Sequence, residues 1–211
     1  MKSLKHGILV AVEGVDGSGK STLAQNLFMY YCDQYTTMLT KEPGGSPLGA
    51  FLRTHLQEQT IPTCHEAEFL LFAADRAQHF HESIIPALNK STLVISDRLA
   101  DSSLAYQGFG RGLNHAMIQA INAWVMKNSK PTITVYVKVS LETAIERLSV
   151  RNQSLTSFEK DCEFFQRVIE GFNLMYKDRT DVLSIDGQQT QEKVMDDAIQ
   201  RINALLVGYE G

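Results

Sequence analysis

The 211-residue chain is poor in several features that define other protein classes. Its three cysteines, Cys32, Cys64 and Cys162, are an odd number and form no C-x-x-C pair, which argues against a disulfide scaffold or a zinc cluster. It has five prolines and no low-complexity tract that could serve as a linker. Residues 1–211 are therefore expected to form a single domain.

The sequence also lacks long apolar runs and an excess of positive charge. No run reaches the roughly 18 residues that a membrane helix needs, and the first residues are too polar for a signal peptide. We therefore expect a cytoplasmic protein without a membrane partner. The net charge of -4 gives no reason to expect a nucleic-acid polymer as partner, although local arginines could still bind a small anion.

Short β-branched runs alternate with longer amphipathic segments along the chain. This alternation predicts right-handed β-α-β crossovers and a parallel sheet with helices on both faces, which is an α/β three-layer sandwich. The candidate strands are residues 8–12, 36–40, 92–96, 133–139 and 182–185. Helices are predicted at residues 20–32, from residue 63 onward, and at about 102–127, 158–176 and 191–206. A capping box of Thr63 and Glu66 would begin the second of these helices.

A glycine-rich string directly follows the first predicted strand. It reads GVDGSGKST and fits the phosphate-binding pattern G-x-x-x-x-G-K-[ST], with a strand before it and an amphipathic helix after it, which favours a P-loop NTPase type of fold. Glycines allow backbone N–H groups to turn toward phosphate oxygens. Lys20 would contact the β- and γ-phosphates, and Ser21 would offer its hydroxyl to Mg²⁺. The predicted triphosphate-binding residues are Gly14, Val15, Asp16, Gly17, Ser18, Gly19, Lys20, Ser21 and Thr22.

Asp97 and Arg98 follow the third predicted strand. An aspartate at that strand end faces the phosphate loop and can hold Mg²⁺ directly or through water, while the arginine is placed for an anion. A surface salt bridge is the alternative interpretation. The only Asn-Lys pair, Asn89-Lys90, lacks the aspartate of the guanine-reading Asn-Lys-x-Asp motif, which argues against a switch GTPase.

The second predicted helix has two distinct sides. Ala67, Leu70 and Ala74 are expected to face the core, because they cluster at helical spacing. Phe72 and Arg76 share a roughly opposite face, and an aromatic plane beside a guanidinium suits a planar base. By itself, such a pair is more often a packed aromatic with a snorkelling arginine.

Several motifs occur in a recognisable order. With these strings the chain resembles the bacterial thymidylate kinase family over nearly its whole length. The phosphate loop is generic to many NTPases, whereas the EPGG and S-x-x-AYQ strings at this spacing are specific to that family. The motifs are GVDGSGKST at 14–22, EPGG at 42–45, FLLFAADRAQH at 69–79, DR at 97–98 and DSSLAYQG at 101–108.

The resemblance implies ATP as phosphoryl donor, Mg²⁺ as metal and dTMP as acceptor. It implies that Phe72 stacks on thymine and that Arg76 bonds the base, where a guanidinium suits the O4 acceptor of thymine and opposes the amino donor of cytosine. Ser103 and Gln107 would meet the remaining base edge. Tyr106 would lie near the sugar 2′ position, where its bulk would disfavour a ribonucleotide.

The resemblance also assigns residues to the phosphates. Arg53 and Arg98 would lie near the dTMP phosphate, and Asp16 would lie near this phosphate and the sugar hydroxyl. Glu42 would lie near the metal and the phosphates. The candidate metal ligands are then Ser21, Asp97 and Glu42.

Direct in-line transfer needs alignment and charge neutralisation, because the acceptor phosphate is already an anionic nucleophile. The variable position of the phosphate loop is Ser18, so a lid at about 147–160 would supply an arginine. Arg147 and Arg151 are the candidates, since they share a helical face. Ser157 stands where the family's lid has another arginine, which shifts the weight to Arg151. The predicted catalytic residues are Lys20, Arg98, Arg151, Arg147 and Asp16.

Two other functions remain open. A kinase for dUMP or a broader pyrimidine set would share the fold and differ in the base pocket. A regulatory P-loop module would bind nucleotide without a small-molecule acceptor, but it would not need Phe72 with Arg76, or Arg98 with Ser103 and Gln107. The family resemblance further implies a homodimer.

Overall fold

A sheet of five parallel strands lies at the centre of the computed structural model, which describes residues 2–58, 62–150 and 162–211. The order across the sheet is β2-β3-β1-β4-β5, and every predicted strand is confirmed with its ends shifted by at most one residue. The strands are β1 Ile8–Glu13, β2 Thr37–Lys41, β3 Leu93–Asp97, β4 Ile133–Lys138 and β5 Val182–Asp186.

Helices follow most strands. A π-helical segment, Phe80–Ile84, joins α3 to α4, and a second, Leu104–Gly110, continues α5. The α-helices within the described residues are α1 Lys20–Tyr31, α2 Pro47–Glu58, α3 His65–His79, α4 Ile85–Leu88, α5 Ala100–Ser103, α6 His115–Val125, α7 Leu141–Val150, α8 Cys162–Tyr176 and α9 Gln191–Leu206.

The central strand β1 is buried along its whole length, as an apolar strand between two neighbours should be. Its side chains alternate between the two faces of the sheet. Ile8 and Val10 pack in a core with side chains of α1 and α9. Leu9 and Ala11 pack on the opposite face with Phe80 and its neighbours. The predicted three-layer α/β sandwich is therefore confirmed.

The single helix predicted at about 102–127 is wrong, because the chain breaks between two helical segments. The first ends in the Leu104–Gly110 segment, and Gly112 then has a φ of 80°, a left-handed value that favours glycine. Asn114 caps α6, since its side chain accepts a hydrogen bond from the Met117 amide. A glycine followed by an asparagine cap ends one helix and begins the next.

Helix α3 corrects two further predictions. It begins at His65 with Cys64 at its N-cap, so the helix does not begin at the predicted Thr63 cap. Leu70 is 53% exposed and Ala74 is exposed, although both were expected in the core. The buried side of α3 instead contains several polar side chains, namely Glu68, Asp75, Arg76 and His79.

The carboxyl ends of the parallel strands form one edge of the sheet. The connection after β1 runs toward β2 on one side, whereas the connections after β3 and β4 run toward the other side. Crevices at such switch points are the usual ligand sites of open parallel sheets. The glycine-rich loop follows β1 at this edge. Asp97 is the last residue of β3, and Arg98 comes directly after it. No helix in the described ranges combines the length and apolar character that crossing a bilayer requires.

Candidate active site

The glycine-rich loop between β1 and α1 has a tightly turned backbone. Gly17 and Gly19 have φ values of 82° and 93°, which L side chains rarely adopt. A β-carbon on Gly17 would come within 2.4 Å of the Ala144 carbonyl oxygen. Gly19 immediately precedes α1, so the free amides of the first helical turn lie beside the loop. The predicted loop therefore has the form of an anion-binding site.

Lys20 is buried within this loop. Its Nζ donates to Asp16 Oδ1 at 3.2 Å and to the Val15 carbonyl oxygen at 3.4 Å. Burial and the nearby Arg98 guanidinium lower the pKa of Lys20, and Asp16 counteracts this effect. A phosphate oxygen could replace this carboxylate, because both form charge-assisted hydrogen bonds with an ammonium group.

Asp16 contacts two of the other predicted catalytic residues, Lys20 and Arg98. Its Oδ1 accepts from both Lys20 and Arg98, and its Oδ2 accepts from the Tyr106 hydroxyl at 2.9 Å. Burial by itself would raise the pKa of Asp16, but Arg98 and Lys20 hold that pKa well below its usual range. The structure thus brings together side chains from the phosphate loop, the end of β3 and the Leu104–Gly110 segment.

Arg98 makes further contacts at the edge of this cluster. Its Nη1 donates to the Gly14 carbonyl oxygen at 3.1 Å and to Ser102 Oγ at 2.9 Å. The guanidinium also lies over the Tyr106 ring, with its central carbon 5.1 Å from the ring centre. The pKa of Tyr106 is raised by burial, so its hydroxyl stays protonated and can donate to Asp16. Together with the bond to Asp16, these contacts keep the guanidinium beside the phosphate loop.

The carboxylate of Asp97 suits a metal ion. Its Oδ1 is buried and has no hydrogen-bond partner among the described residues. Ser21, in contrast, is exposed at the start of α1. Mg²⁺ at nucleotide sites takes only one or two protein oxygens beside phosphates and water. An orphaned carboxylate oxygen close to the phosphate loop fits that requirement.

Glu42 occupies a different environment from the one expected for a metal ligand. It is buried in the turn after β2, where Oε2 accepts from Arg76 Nε at 2.8 Å and Oε1 lies 3.1 Å from His79 Nδ1. A direct metal contact would compete with both of these partners. In this arrangement Glu42 joins the turn to α3.

Arg76 is almost fully buried, with 2% of the residue exposed. Besides Glu42, its guanidinium donates to Ser103 Oγ at 3.1 Å, to Asn122 Oδ1 at 2.6 Å and to the Leu99 carbonyl oxygen at 3.2 Å. The pair of Arg76 with Ser103 joins two predicted base-contacting residues. The interpretation of Arg76 as a snorkelling surface arginine is wrong.

The remaining predicted acceptor residues come from three elements of the described structure. Phe72 is half-buried one helical turn before Arg76, and Gln107 is buried with its Nε2 donating to Glu68 Oε1 at 2.9 Å. Arg53 lies apart from them on α2, where its Nη1 donates to the Pro43 carbonyl oxygen at 3.0 Å. These side chains come from α2, α3 and the segment after α5.

A cavity of about 610 Å³ opens beside the phosphate loop. It extends from Ser18 and Gly19 to the residues that follow β5. Arg147 lines it and donates to the Ser18 carbonyl oxygen at 3.2 Å and the Gly187 carbonyl oxygen at 2.8 Å. Arg147 therefore lies between the phosphate loop and the turn after β5. Gly187 and its neighbours were not predicted from the sequence as part of a site, although they directly follow a strand.

Three more polar residues of the site were missed from the sequence. His79 contacts Glu42, and Asn122 contacts Arg76 from α6. Glu13, at the end of β1, is fully buried and accepts from the Leu99 amide. The position of Glu13 at a strand end was a usable signal, whereas nothing in the helical pattern marks His79 or Asn122.

Arg151 and most of the expected lid at about 147–160 lie outside the described residues. Ser157 lies in the same undescribed range. The described structure includes only the start of that segment, through Val150 at the end of α7.

Comparison with known proteins places this geometry in a family. The thymidylate kinase family model matches residues 12–198. Thymidylate kinase of Carboxydothermus hydrogenoformans is 39% identical over 206 residues, which cover 97% of this chain and 99% of that protein. Thymidylate kinase of Bacillus cereus strain Q1 is 37% identical over 208 residues, with 95% and 99% covered.

A solved structure shows the same similarity in three dimensions. The crystal structure of thymidylate kinase from Ehrlichia chaffeensis superposes with a TM-score of 0.77 at 30% sequence identity. The match covers 93% of this chain and 98% of that one.

Proposed function

The chain belongs to the thymidylate kinase family, and we infer from its site that it transfers the terminal phosphoryl group of ATP to dTMP, which yields dTDP and ADP. The observation that carries this conclusion is the convergence on Asp16. Lys20 from the phosphate loop and Arg98 from the end of β3 both bind its Oδ1. Two cations from two elements therefore lie side by side, where donor and acceptor phosphates would meet.

We propose that these cations lower the electrostatic barrier to the reaction. The acceptor phosphate is an anion that must approach another anion, so its attack requires neutralisation of charge and in-line alignment. Lys20 would leave Asp16 for the β- and γ-phosphates, and Arg98 with Arg53 would hold the dTMP phosphate. Asp16 would keep Arg98 aligned and would lie near the sugar hydroxyl.

The proposed metal site uses Asp97 and Ser21. Mg²⁺ held by these residues would supply positive charge that offsets the negative charge of the phosphates. The buried, unpartnered Oδ1 of Asp97 supports this assignment. Glu42 would act near the metal only through rearrangement or an intervening water, because both of its oxygens have partners.

The base of dTMP is proposed to lie between Phe72 and Arg76. Four of the five N–H groups of Arg76 have acceptors among the described residues, so one remains for the O4 oxygen of thymine. Ser103 and Gln107 would contact the remaining edge, and Tyr106 would pack beside the sugar. A cytosine amino group would meet the guanidinium donor to donor, which disfavours it.

The donor nucleotide is proposed to extend from the phosphate loop into the 610 Å³ cavity beside Arg147. Arg151, on a lid at about 147–160, would then supply the arginine that reaches the transferring phosphoryl group. We regard residues 1–211 as one catalytic domain in the cytoplasm, where ATP and dTMP are available.

We further propose that the enzyme is a homodimer. Large apolar side chains on adjacent helices support this proposal, since Phe51 on α2 is 72% exposed and Trp124 on α6 is 78% exposed. Leu70 on α3, which contacts both of these helices, is 53% exposed. Exposed aromatic residues are enriched at protein interfaces.

The proposed function is tested by measuring ADP release with dTMP, dUMP, dCMP, AMP and GMP in the presence of ATP and Mg²⁺. We expect the highest kcat/KM with dTMP.

Lys20→Ala should lower kcat by at least about 100-fold without loss of the fold, because it removes a transition-state cation. Lys193→Ala, an exposed lysine on α9, is the matched control.

Each outcome of this panel distinguishes the candidate functions. Equal rates with AMP and dTMP would contradict the thymine assignment, and equal rates with dUMP would favour a broader pyrimidine kinase. ATP hydrolysis that no monophosphate changes would favour a regulatory module.

A further inference from the structure

Arg98 has a backbone conformation that an arginine rarely adopts. Its φ is 75°, in the left-handed region where a β-carbon is unfavourable. The other residues with such φ values, apart from glycines, are Ser91, Lys127 and Asn128. Those three lie in turns of the described chain away from the phosphate loop. Strained residues at a site persist only where their surroundings hold them, and they often have a functional reason.

Backbone hydrogen bonds fix Arg98 on both sides. Its amide donates to the Val12 carbonyl oxygen at 2.9 Å, and its own carbonyl oxygen accepts from Ser96 Oγ at 2.8 Å. The next amide, that of Leu99, donates to Glu13 Oε1 at 2.8 Å. The peptide units before and after the strained residue are thus both anchored to the neighbouring strand β1.

Glu13 is the main anchor on the far side of Arg98. Its Oε1 also accepts from the Ser102 amide at 3.3 Å, and its Oε2 accepts from Ser102 Oγ at 2.6 Å. The same Ser102 Oγ accepts from Arg98 Nη1 at 2.9 Å. One carboxylate therefore fixes the backbone after Arg98 and, through Ser102, the direction of its guanidinium.

The location of Glu13 is costly for a carboxylate. The residue is fully buried, and a buried charge is unfavourable unless donors compensate it. Burial and the neighbouring Asp101 raise the pKa of Glu13 to about 7, whereas Ser102 and Arg98 favour its ionised form. Tyr176, from α8, also lies close enough to interact with this charge. An apolar residue would avoid this cost. The buried carboxylate therefore points to a specific role for its hydrogen bonds.

We propose that Glu13 is a positioning residue for phosphoryl transfer: by binding Leu99 and Ser102 it holds Arg98 in its left-handed conformation, with the guanidinium on Asp16 and the Gly14 carbonyl oxygen. This inference rests on the proposed function, in which Arg98 binds the acceptor phosphate. Glu13 itself is fully buried, so it would act through Leu99 and Ser102. It connects the strand that leads into the donor loop with the segment that binds the acceptor.

The test compares Glu13→Ala with Glu13→Gln, using the acceptor that the wild-type enzyme phosphorylates fastest. Glutamine keeps a carbonyl oxygen for the Leu99 and Ser102 amides, whereas alanine keeps none. We expect kcat/KM for the acceptor to fall about 100-fold in Glu13→Ala and about 10-fold in Glu13→Gln, since displacement of an aligned group by about 1 Å can cost that much. KM for ATP should stay within about twofold of wild type in both variants.

A stability-matched control separates positioning from general loss of structure. Ile202→Ala removes a fully buried side chain on α9, in the core on the α1 and α9 side of the sheet. It should lower the melting temperature without changing KM for the acceptor. Ser102→Ala provides a further variant, because it removes the hydroxyl that links Glu13 to Arg98, and we expect about a 10-fold lower kcat/KM for the acceptor.

Three results would overturn the inference. The first is acceptor kinetics within about twofold of wild type in a folded Glu13→Ala variant. If that variant does not fold, unchanged kinetics in both Glu13→Gln and Ser102→Ala are the second. The third is an equal loss of acceptor kcat/KM in Ile202→Ala. Wild-type protein that phosphorylates no monophosphate would overturn the proposed function itself, and the inference with it.

Discussion

Arg76 is a buried charge with structural contacts, and the proposed function also assigns it to the base. Its guanidinium is bound by Glu42, Ser103, Asn122 and the Leu99 carbonyl group, so its direction is fixed before any base arrives. Such preorganisation reduces the entropy that binding must overcome. Removal of Arg76 would leave the buried Glu42 without its main counter-charge, which costs about 3–5 kcal/mol of stability. Loss of the fold and loss of base selection would therefore coincide in an alanine variant.

Asp75 is a buried carboxyl group whose titration can be measured through stability. It is fully buried on α3, its Oδ1 accepts from the Gly44 amide at 3.3 Å, and its Oδ2 has no partner among the described residues. Burial, followed by the proximity of Glu42, raises the pKa of Asp75 from 3.8 to about 6. Between about pH 4 and about pH 6, the Asp75 carboxyl therefore keeps a proton in the folded protein that it loses in the unfolded chain.

Stability from this group must therefore fall as pH rises from about 4 to about 6. We predict that Asp75→Asn removes this dependence, because asparagine can still accept from Gly44 but does not titrate. The difference in unfolding free energy, wild type minus variant, should decrease by up to about 3 kcal/mol between about pH 4 and pH 7, measured by urea denaturation. The exposed Asp178→Asn is the control. A pH-independent difference for Asp75→Asn would contradict the prediction.

Among individual residues, those of the phosphate loop were well predicted from the sequence, whereas the polar network around Arg76 was poorly predicted. The loop is predictable because a contiguous string fixes its backbone form and its chemistry together. The network around Arg76 combines residues far apart in the chain, and helical periodicity assigns buried positions by apolar character alone. That rule placed Leu70 in the core and Arg76 outside it, whereas Leu70 is 53% exposed and Arg76 is 2% exposed.

Helix α7 forms one border of the cavity beside the phosphate loop, where we propose that the donor binds. Arg147 projects from it onto the carbonyl oxygens of Ser18 and Gly187, so one side chain joins the phosphate loop to the turn after β5. We predict that Arg147→Ala raises KM for ATP about 10-fold, while KM for dTMP changes by less than about twofold, because the loss is confined to donor binding. Steady-state kinetics with each substrate varied in turn would measure both constants.

Arg167→Ala on α8 is a matched control, since its Nε binds the Gly110 carbonyl oxygen away from the cavity. A rise in KM for dTMP in the Arg147 variant, without one for ATP, would instead assign this arginine to the acceptor side.

Strands were more predictable than helices in this chain. Buried parallel strands are short apolar runs that stand out from their surroundings, so all five were located. Helix α2, Pro47–Glu58, was not predicted, since it follows a glycine-rich turn and only part of its length is apolar. The break between α5 and α6 was also missed, because Gly112 and Asn114 lie inside a long run with helical spacing.

Large apolar side chains are exposed on three adjacent helices, which carry the proposed dimer interface. Met117 and Trp124 on α6 are 62% and 78% exposed, and Leu70 and Phe51 lie on the adjoining helices α3 and α2. Sequence patterning could not identify this surface, because the same apolar spacing predicts burial against the sheet or against another subunit. Phe72 and Arg76, which we propose to contact the base, lie on the same helix α3, so dimer formation would stiffen that wall of the proposed base site.

Trp124→Glu should therefore convert the protein from a dimer to a monomer, because it places a charge where the proposed interface excludes water. Size-exclusion chromatography with light scattering should give about twice the 23.6 kDa chain mass for wild type and the single-chain mass for the variant. We also expect a higher KM for dTMP in the monomer, since α3 loses its support. Val207→Glu changes a side chain that is 73% exposed beyond α9, and it should remain dimeric. A monomeric wild type, or dissociation of the Val207 variant alone, would show that the surface on α2, α3 and α6 is not the interface.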